Sequence, residues 1–468
     1  MSALRGELGV GSTTPVARVA VAAIGAGIAL GTAYTLSPMT ILWLPMLVVG
    51  AMWAGRGLSG RELRWFTSML LVAIVARFAI IGVLFVTADP AQPFARLFGD
   101  EEFFKHRSLW IRNIGLGLPI APADFIYAFE DVGRSSYLFI LAFLQAMVGV
   151  IPYGVHVMNA TVYLMGALLM YRHIRPAFGG AAALAGLALV LFVPTLFIWS
   201  VSALKEPIYT LVAVSELLCC VYLVRGDRRW QRVAAAIGLV AAIILLETLR
   251  RGGMAVGIVG SIAGVAMGLM LSRRRLSWAA LVAGPLLAAV VLATPAIQQR
   301  MLGMVRSSAV YHGGHIVSSG YSYKILDGRY YHDGRLLWAM PAREAGQYAV
   351  RSLVSYVVEP VPWRAESAGL RAYLPEQMLW YLILAFAPFG IVAGVRRDPL
   401  LASLLVSHGG ALIVMVALTS GNIGTLIRHR GLALPYLAWL SALGVCQVLS
   451  CLTPTSQSRE GVNPHGDR

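Results

Sequence analysis

Three consecutive carboxylates are the first residues in this sequence whose type and spacing suggest chemistry. Asp100, Glu101 and Glu102 stand together in "GDEEFFKHRS", although the chain has only 22 acidic residues against 38 lysines and arginines. A carboxylate can act as a general base on an acceptor hydroxyl or amine. Carboxylates also bind Mg²⁺ or Mn²⁺, but successive helical residues lie about 100° apart, so the three cannot face one ion. We expect no obligate metal or other cofactor, with a divalent cation left as an alternative.

Cationic side chains form a second candidate group, at the predicted outer ends of several helices. Guanidinium groups donate paired hydrogen bonds to phosphate oxygens, so a lipid phosphate or pyrophosphate would suit them. The alternative is that these side chains only extend to lipid headgroups. Trp363, in "EPVPWR", adds an aromatic face for a sugar ring. The candidate substrate-binding residues are Glu102, Lys205, Glu206, Arg250, Arg251, Trp363, Arg428 and Arg430.

The composition places these residues in a membrane protein. Of 468 residues, 58% are hydrophobic and 13% are charged, and the mean hydropathy is +0.72, whereas soluble domains carry about 25% charged residues. The apolar runs are of the length of membrane-spanning helices rather than barrel strands. The net charge of +16 comes largely from arginine clusters in short loops. No basic face remains once these loops are counted, so no nucleic-acid partner is expected.

Hydropathy predicts an all-α, polytopic protein with about twelve transmembrane helices. Their predicted positions are 16–36, 38–55, 66–88, 156–172, 181–200, 207–224, 232–247, 252–272, 277–294, 377–395, 399–419 and 431–451.

A further apolar run at 137–154 decides the topology. If it lies at the interface instead of spanning, the clusters "GRGLSGRELR", "RHIRP", "RGDRRWQR", "SRRR" and "VRRD" all fall on one side. The positive-inside rule makes that side cytoplasmic. We therefore predict a plasma or inner membrane protein with both termini in the cytoplasm.

Two long loops then face outward, and long loops in compact proteins are usually functional. The chain divides into five predicted segments. They are an N-terminal tail and helical hairpin (1–65), a transmembrane core (66–294) with the first outer loop (89–155), a second outer loop (295–376), C-terminal helices (377–451) and a disordered cytoplasmic tail (452–468).

Three ionisable residues fall within predicted spans. Arg77 and Glu216 have opposite charge and similar predicted depth, so we expect them to neutralise each other, because an unpaired charge in the bilayer is costly. We interpret His408 as a hydrogen-bonded core residue.

Taken in order, four stretches resemble the GT-C superfamily of membrane glycosyltransferases, such as protein O-mannosyltransferases and aminoarabinose transferases. The first is "GDEEFFKHRS", which is similar to the acidic motif of that family's first outer loop, although Phe103 and Phe104 stand where many relatives have Tyr. The others are "VHVMNATVYLMGALLMYRHIRPAFG", "VPTLFIWSVSALKEPIYTL" and "TLIRHRGLALPYLAWLSAL".

This resemblance implies an inverting transferase that uses a polyprenyl-phosphate-linked sugar at the extracytoplasmic face, in cell-envelope glycoconjugate assembly. The family's base role would fall on Asp100, with Glu101 beside it. Lys205, Arg428 and Arg430 would stabilise the departing phosphate. The acceptor would be a glycan, lipid or protein.

Two alternatives stay open. An O-antigen-type polymerase or ligase would use the same outer arginines together with the second outer loop. A flippase or other transporter would need a polar path through the centre of the bundle.

Overall fold

The computed structural model describes residues 15–36, 38–87, 99–131, 133–150, 153–273, 293–317, 322–364 and 367–452. These residues form eighteen α-helices and two 3-10 turns. Their only β-type pairing is an isolated bridge between Ser322 and Asn422.

The eighteen helices are numbered in chain order. The first nine are α1 (Pro15–Leu36), α2 (Met39–Gly55), α3 (Gly60–Val86), α4 (Gly99–Gly115), α5 (Pro122–Ala128), α6 (Ser136–Val148), α7 (Gly154–Phe178), α8 (Gly180–Phe192) and α9 (Pro194–Val201). The others are α10 (Glu206–Arg225), α11 (Arg229–Leu249), α12 (Gly253–Ser272), α13 (Pro295–Val317), α14 (Arg329–His332), α15 (Ala342–Val358), α16 (Ala368–Arg397), α17 (Pro399–Thr419) and α18 (Ile423–Leu452).

Eight helices in the described part of the chain are long and apolar enough to cross a membrane: α3, α7, α10, α11, α12, α16, α17 and α18. The bent pair α8–α9 is a ninth if it counts as one span. The all-α membrane class is thereby confirmed, with fewer qualifying helices than the twelve expected. α1 and α2 form where predicted, but α2 and the apolar part of α1, Val19–Thr32, are among the shorter apolar helices. The predicted helix at 277–294 and both tails fall almost wholly outside the described residues.

The ambiguous run at 137–154 forms a helix too short to span. α6 has 13 residues, or about 20 Å, against roughly 30 Å of hydrocarbon. Its N-cap residue Ser135 accepts a hydrogen bond from the Tyr137 amide at 3.3 Å and donates one to the Leu249 carbonyl at 2.9 Å. The start of α6 is therefore tied to the end of α11, where Arg250 follows.

Arginine-rich turns from distant parts of the sequence meet at one end of the bundle. Arg175 donates two hydrogen bonds to Glu62, at 2.6 and 2.7 Å. Arg225, at the C-terminal end of α10, pairs with Asp398 at 2.5 Å. Glu206 begins the same helix and so lies at its opposite end. Arg397 donates to the Phe178 carbonyl at 2.5 Å and so links the two pairs. Residues of four predicted cytoplasmic turns thus lie at the end of α10 away from the candidate site residues.

Helix α8 ends just before Pro194, the first residue of α9, and the axes of the two helices are bent by 60°. Proline lacks an amide hydrogen, so a break here releases backbone groups that must find other partners. The Val190 carbonyl accepts from the Tyr163 hydroxyl at 2.6 Å, and the Leu191 carbonyl accepts from Arg77 at 2.9 Å. The Thr195 amide donates to a carboxylate oxygen of Glu376 at 3.0 Å. Side chains from three other helices therefore fix the bend.

The prediction that Arg77 pairs with Glu216 is wrong. Besides Leu191, Arg77 donates to the Ser200 hydroxyl at 2.7 Å and to the Ala73 carbonyl at 3.1 Å. Its guanidinium also lies 4.5 Å from the centre of the Phe197 ring. The break between α8 and α9 supplies oxygen acceptors for Arg77. Charged residues in the sequence do not reveal these backbone and hydroxyl partners.

Glu216 has a different partner in the bundle, the ring of His408. Glu216 Oε2 lies 2.8 Å from His408 Nε2, and the Ser261 hydroxyl donates to Oε1. His408 Nδ1 donates to the Leu404 carbonyl at 2.8 Å. The prediction of a hydrogen-bonded core histidine is confirmed.

The second outer loop is largely helical and packs on the α17–α18 turn. His312 in α13 donates from Nδ1 to the Ser420 carbonyl at 2.7 Å, and its Nε2 accepts from the Tyr331 hydroxyl at 3.1 Å. Burial lowers the pKa of His312 to about 4, so the ring is neutral and holds this arrangement at physiological pH. The turn that precedes α18 is thereby fixed.

Candidate functional site

Charged residues distant in sequence converge at the end of the bundle opposite the arginine-rich turns. The Arg428 guanidinium donates to a carboxylate oxygen of Asp100 and, at 3.0 Å, to Oε1 of Glu206. Arg250 lies 4.0 Å from the same Glu206 oxygen. The contacts join α4, α10, α18 and the α11–α12 turn, so they define one site, called here the outer charge cluster: Asp100, Lys205, Glu206, Arg250 and Arg428.

Glu206 is held in place by a short buried segment between α9 and α10. This segment has irregular backbone, and its polar groups need partners inside the protein. The Asn159 side-chain amide donates to the Ser202 carbonyl at 2.6 Å and to the Leu204 carbonyl at 2.7 Å. His156 Nδ1 donates to the Val201 carbonyl at 2.6 Å. The stretch "VHVMN" of α7 therefore positions Lys205 and Glu206 without belonging to the cluster.

Arg428 lies in the second turn of α18, whose start and packing are well defined. The Asn422 side-chain oxygen accepts from the Gly424 amide at 2.8 Å and so caps the helix. Further along, Gly390 of α16 and Gly444 of α18 allow backbone contact: a Cβ at Gly390 would lie 1.7 Å from the Leu440 carbonyl oxygen. Small residues at such crossings let membrane helices approach closely.

Burial and repulsion both act on Lys205. Its ammonium lies 5.8 Å from the centre of the Phe104 ring, a cation–π distance. Burial first, and then the neighbouring charge of Arg250, lower the pKa of Lys205 to about 8. Lys205 is therefore charged at neutral pH and loses its proton in the mildly alkaline range.

The outer charge cluster has three cationic groups and two carboxylates. Its members differ sharply in exposure: the Glu206 side chain is 1% exposed, Arg428 18%, and Asp100 62%. The exposed carboxylate of Asp100 can move away from Arg428, whereas the buried carboxylate of Glu206 holds Arg428 in place. An anionic ligand that replaced Asp100 on Arg428 would find Arg250 and Lys205 nearby. Electrostatic preorganisation of this kind suits a developing phosphate charge.

The three acids of the opening stretch point into three environments. Asp100 contacts Arg428, whereas the Glu101 side chain is fully buried with its carboxylate 3.8 Å from the Lys105 ammonium. Burial lowers the pKa of Lys105 to about 8, even though Glu101 raises it. Glu102 lines a separate cleft on the other side of α4. Asp100 is thus the acid that belongs to the outer charge cluster.

Arg430 is brought to a different place from Arg428, although the two are only two residues apart. It is 3% exposed and donates to the Gln377 side chain at 2.9 Å and to the backbone carbonyls of Tyr356 and Glu359. Its guanidinium also lies 5.1 Å from the centre of the Trp380 ring. Arg430 therefore fastens α15, the following turn and α16 to α18.

Two other candidate residues also lie outside the cluster. Trp363 is 82% exposed in the 3-10 turn Pro362–Arg364. Arg251 is exposed next to Arg250 and makes no hydrogen bond or ion pair with any described residue. Sequence position alone did not separate these residues from the converging ones.

The sequence reading missed the aromatic and polar residues beside Glu102. His106, Trp110, Tyr127 and Glu130 line the same cleft as Glu102. The signal was available in part: Glu102, His106 and Trp110 follow i, i+4, i+8 spacing and so share one helix face.

Within the described ranges, no group of three or more His, Cys, Asp or Glu residues is arranged to hold a metal ion. No protein-family model, curated protein or solved structure matches this chain.

Proposed function

We propose that this protein is a membrane glycosyltransferase that moves a sugar from a polyprenyl-phosphate-linked donor to an acceptor at the extracytoplasmic face. The observation that supports the proposal best is the contact of Arg428 with Asp100 and Glu206. It pairs a solvent-exposed carboxylate with a cationic centre at one end of a membrane bundle. General base catalysis and leaving-phosphate stabilisation need these two kinds of group side by side.

In the proposed reaction, the donor phosphate takes the place of Asp100 on Arg428. The released carboxylate accepts the proton of the acceptor hydroxyl while the hydroxyl oxygen bonds to the anomeric carbon. The bond between that carbon and the phosphate oxygen breaks, and its electron pair leaves with polyprenyl phosphate. Attack opposite the leaving group inverts the anomeric centre.

Other members of the outer charge cluster have supporting roles in this scheme. Glu206, which is buried, orients Arg428 and keeps its charge compensated before the donor binds. Arg250 and Lys205 add positive charge where the phosphate leaves. Glu101 does not reach an acceptor from its buried position beside Lys105, so the base role falls to Asp100 alone.

The extracytoplasmic location rests on the arginine-rich turns. Arg225 ends α10 and pairs with Asp398, and Arg175 lies at the same end of the bundle, whereas the outer charge cluster lies at the other end of α10. The positive-inside rule, applied to these turns, supports an extracytoplasmic position of the cluster.

The experiment compares Asp100→Asn with Asp131→Asn as a matched control. Asp131 is another exposed aspartate of the first outer loop, and its one ion pair with a described residue is with the exposed Arg134 at 3.6 Å. Sugar transfer from labelled donor lipid in membranes should fall about 10²- to 10⁴-fold for Asp100→Asn, the usual contribution of a general base. It should stay unchanged for Asp131→Asn. Full activity of Asp100→Asn at normal expression would exclude the base assignment.

The product separates the transferase from its alternatives. One added sugar per acceptor supports transfer, whereas a ladder of repeat units would support a polymerase. Labelled lipid that changes leaflet without changing composition would support a flippase.

A further inference from the structure

A second cleft lies on the face of α4 that turns away from the bundle. It has a volume of about 180 Å³ and contains Glu102, His106 and Trp110 from α4, with Tyr127 and Glu130 from α5 and the turn after it. The opposite face of α4 is buried and carries Glu101, Phe104, Lys105 and Ser108. The helix therefore presents a polar, aromatic stripe to this cleft.

The floor of this cleft is rigid. Arg107, which is 1% exposed, donates to the carbonyls of Ala128 at 3.3 Å and Glu130 at 2.5 Å. Its guanidinium lies 4.7 Å from the centre of the Phe103 ring. Gly133, with φ of 70°, packs against the same ring, where a Cβ would lie 2.8 Å from Phe103. The cleft is thus held in shape before any ligand arrives.

The polar residues show that this cleft is not a lipid-facing groove. The Glu130 side chain is exposed and Glu102 is partly exposed, and carboxylates are costly in hydrocarbon. The ring of His106 lies 6.2 Å from that of Trp110 at 57°. Aromatic faces with nearby carboxylates offer a stacking surface together with hydrogen-bond acceptors.

We propose that this cleft binds a saccharide ring of the acceptor, an inference that rests on the proposed transferase function. A sugar ring presents C–H groups to the Trp110 and Tyr127 faces and hydroxyl donors to the Glu102 and Glu130 carboxylates. Glu102 is two residues from Asp100, a rise of about 3 Å along the helix. Because each helical residue turns by about 100°, Glu102 and Asp100 project from different sides of α4. A ring bound here would therefore be a distal unit of an acceptor that reaches around the helix to the proposed base.

A neutral sugar fits the cleft better than an ammonium ligand. Aromatic residues with carboxylates can also bind organic cations. Here the Arg107 guanidinium already lies over the Phe103 ring, so that ring face is not available to a second cation. The experiment keeps choline as the probe for that other ligand class.

Saturation-transfer NMR on the full-length protein in detergent micelles tests the cleft directly. The probes are the methyl glycosides of glucose, galactose, mannose and N-acetylglucosamine, with choline chloride as the cationic probe. We expect saturation of at least one glycoside and a dissociation constant about fivefold higher for Trp110→Ala, equal to about 1 kcal/mol. The matched control is Trp338→Ala, which changes a tryptophan that is 58% exposed in the second outer loop.

A second variant keeps the proposal testable if Trp110→Ala does not fold. Glu130→Gln changes an exposed side chain and keeps its size, and it should weaken the same glycoside. Three outcomes would overturn the proposal: no glycoside is saturated, binding is equally strong in Trp110→Ala and the wild type, or choline binds in a Trp110-dependent way instead.

The NMR measurement uses no donor lipid, so it separates the two proposals. If glycoside binding depends on Trp110 but the protein shows no transfer activity, the proposed sugar-binding cleft stands and the proposed transferase function is rejected. If Trp110→Ala retains transfer activity with an unchanged KM for the acceptor, the proposed transferase function stands and the proposed sugar-binding cleft is rejected.

Discussion

Arg428 and Arg430 are two residues apart on one helix, and the regions around them differ in what their partners are. Arg430 donates to two backbone carbonyls and a buried amide, with aromatic rings over its charge. Arg428 donates to two carboxylates, one of them largely exposed. Backbone partners cannot be exchanged without unfolding the segment, whereas an exposed carboxylate can be replaced by another anion. The comparison separates an arginine that stabilises the fold from one that is free to change partner.

Arg77 belongs with Arg430 in this comparison. Its partners are two carbonyls, a hydroxyl and aromatic rings. Both arginines satisfy backbone carbonyls that would otherwise be costly inside a membrane protein. A buried arginine in a span therefore need not mark a ligand path.

The largest expected effect that tests this comparison is the loss of Arg430. Arg430→Ala leaves the carbonyls of Tyr356 and Glu359 and the Gln377 amide oxygen without their donor. Losing several hydrogen bonds to a charged group should lower the free energy of unfolding by about 3 kcal/mol or more. Thermal melting of the detergent-purified protein measures this. An equal loss in Arg428→Ala would break the distinction between the two arginines.

Asn159→Ala should have the next largest effect. It leaves two buried carbonyls, of Ser202 and Leu204, without a donor, at a cost of about 1 to 3 kcal/mol. Because those carbonyls precede Lys205 and Glu206, donor affinity should fall as well as stability. Asn113→Ala, a change on the partly exposed part of α4, is the control. Loss of stability with unchanged donor affinity would show that the segment does not position the cluster.

The smallest expected effect is the pH dependence contributed by Lys205. With a pKa of about 8, the ammonium is present below that pH and is lost above it. Donor affinity should therefore decline two- to threefold, or by about 0.5 kcal/mol, as pH rises from 7 to 9. Lys205→Arg, which stays charged, should remove the decline. A decline that persists in Lys205→Arg would assign it to another group.

Much of the fold was available from the sequence, because hydropathy reports long apolar helices directly. The non-spanning character of α6 also followed, since the arginine clusters allowed only one economical topology. The partners of the buried charges did not follow. The break at Pro194 frees carbonyls for Arg77, and no pattern of residue types shows which oxygen lies within reach.

The sequence predicted which residue types form the candidate site and at which helix ends they lie. It did not predict the directions in which their side chains point. Asp100, Glu101 and Glu102 are adjacent in sequence, yet the helical turn of α4 sends them to Arg428, to Lys105 and to the outer cleft. The same limit applies to Arg428 and Arg430, which α18 separates onto different faces. Predicting the position of a helix in the sequence is not enough, because the rotation of the helix about its own axis decides which of its residues face the site.

Binding of polyprenyl phosphate to the protein in nanodiscs tests most directly whether Arg428 is the exchangeable arginine. The comparison is between Arg428→Gln and Arg251→Gln, since Arg251 is an exposed arginine outside the outer charge cluster. We predict that Arg428→Gln raises the dissociation constant at least about tenfold, the effect of losing one charge-assisted contact. Arg251→Gln should bind as the wild type does. Equal affinity of Arg428→Gln and the wild type would contradict the placement of the donor phosphate at Arg428.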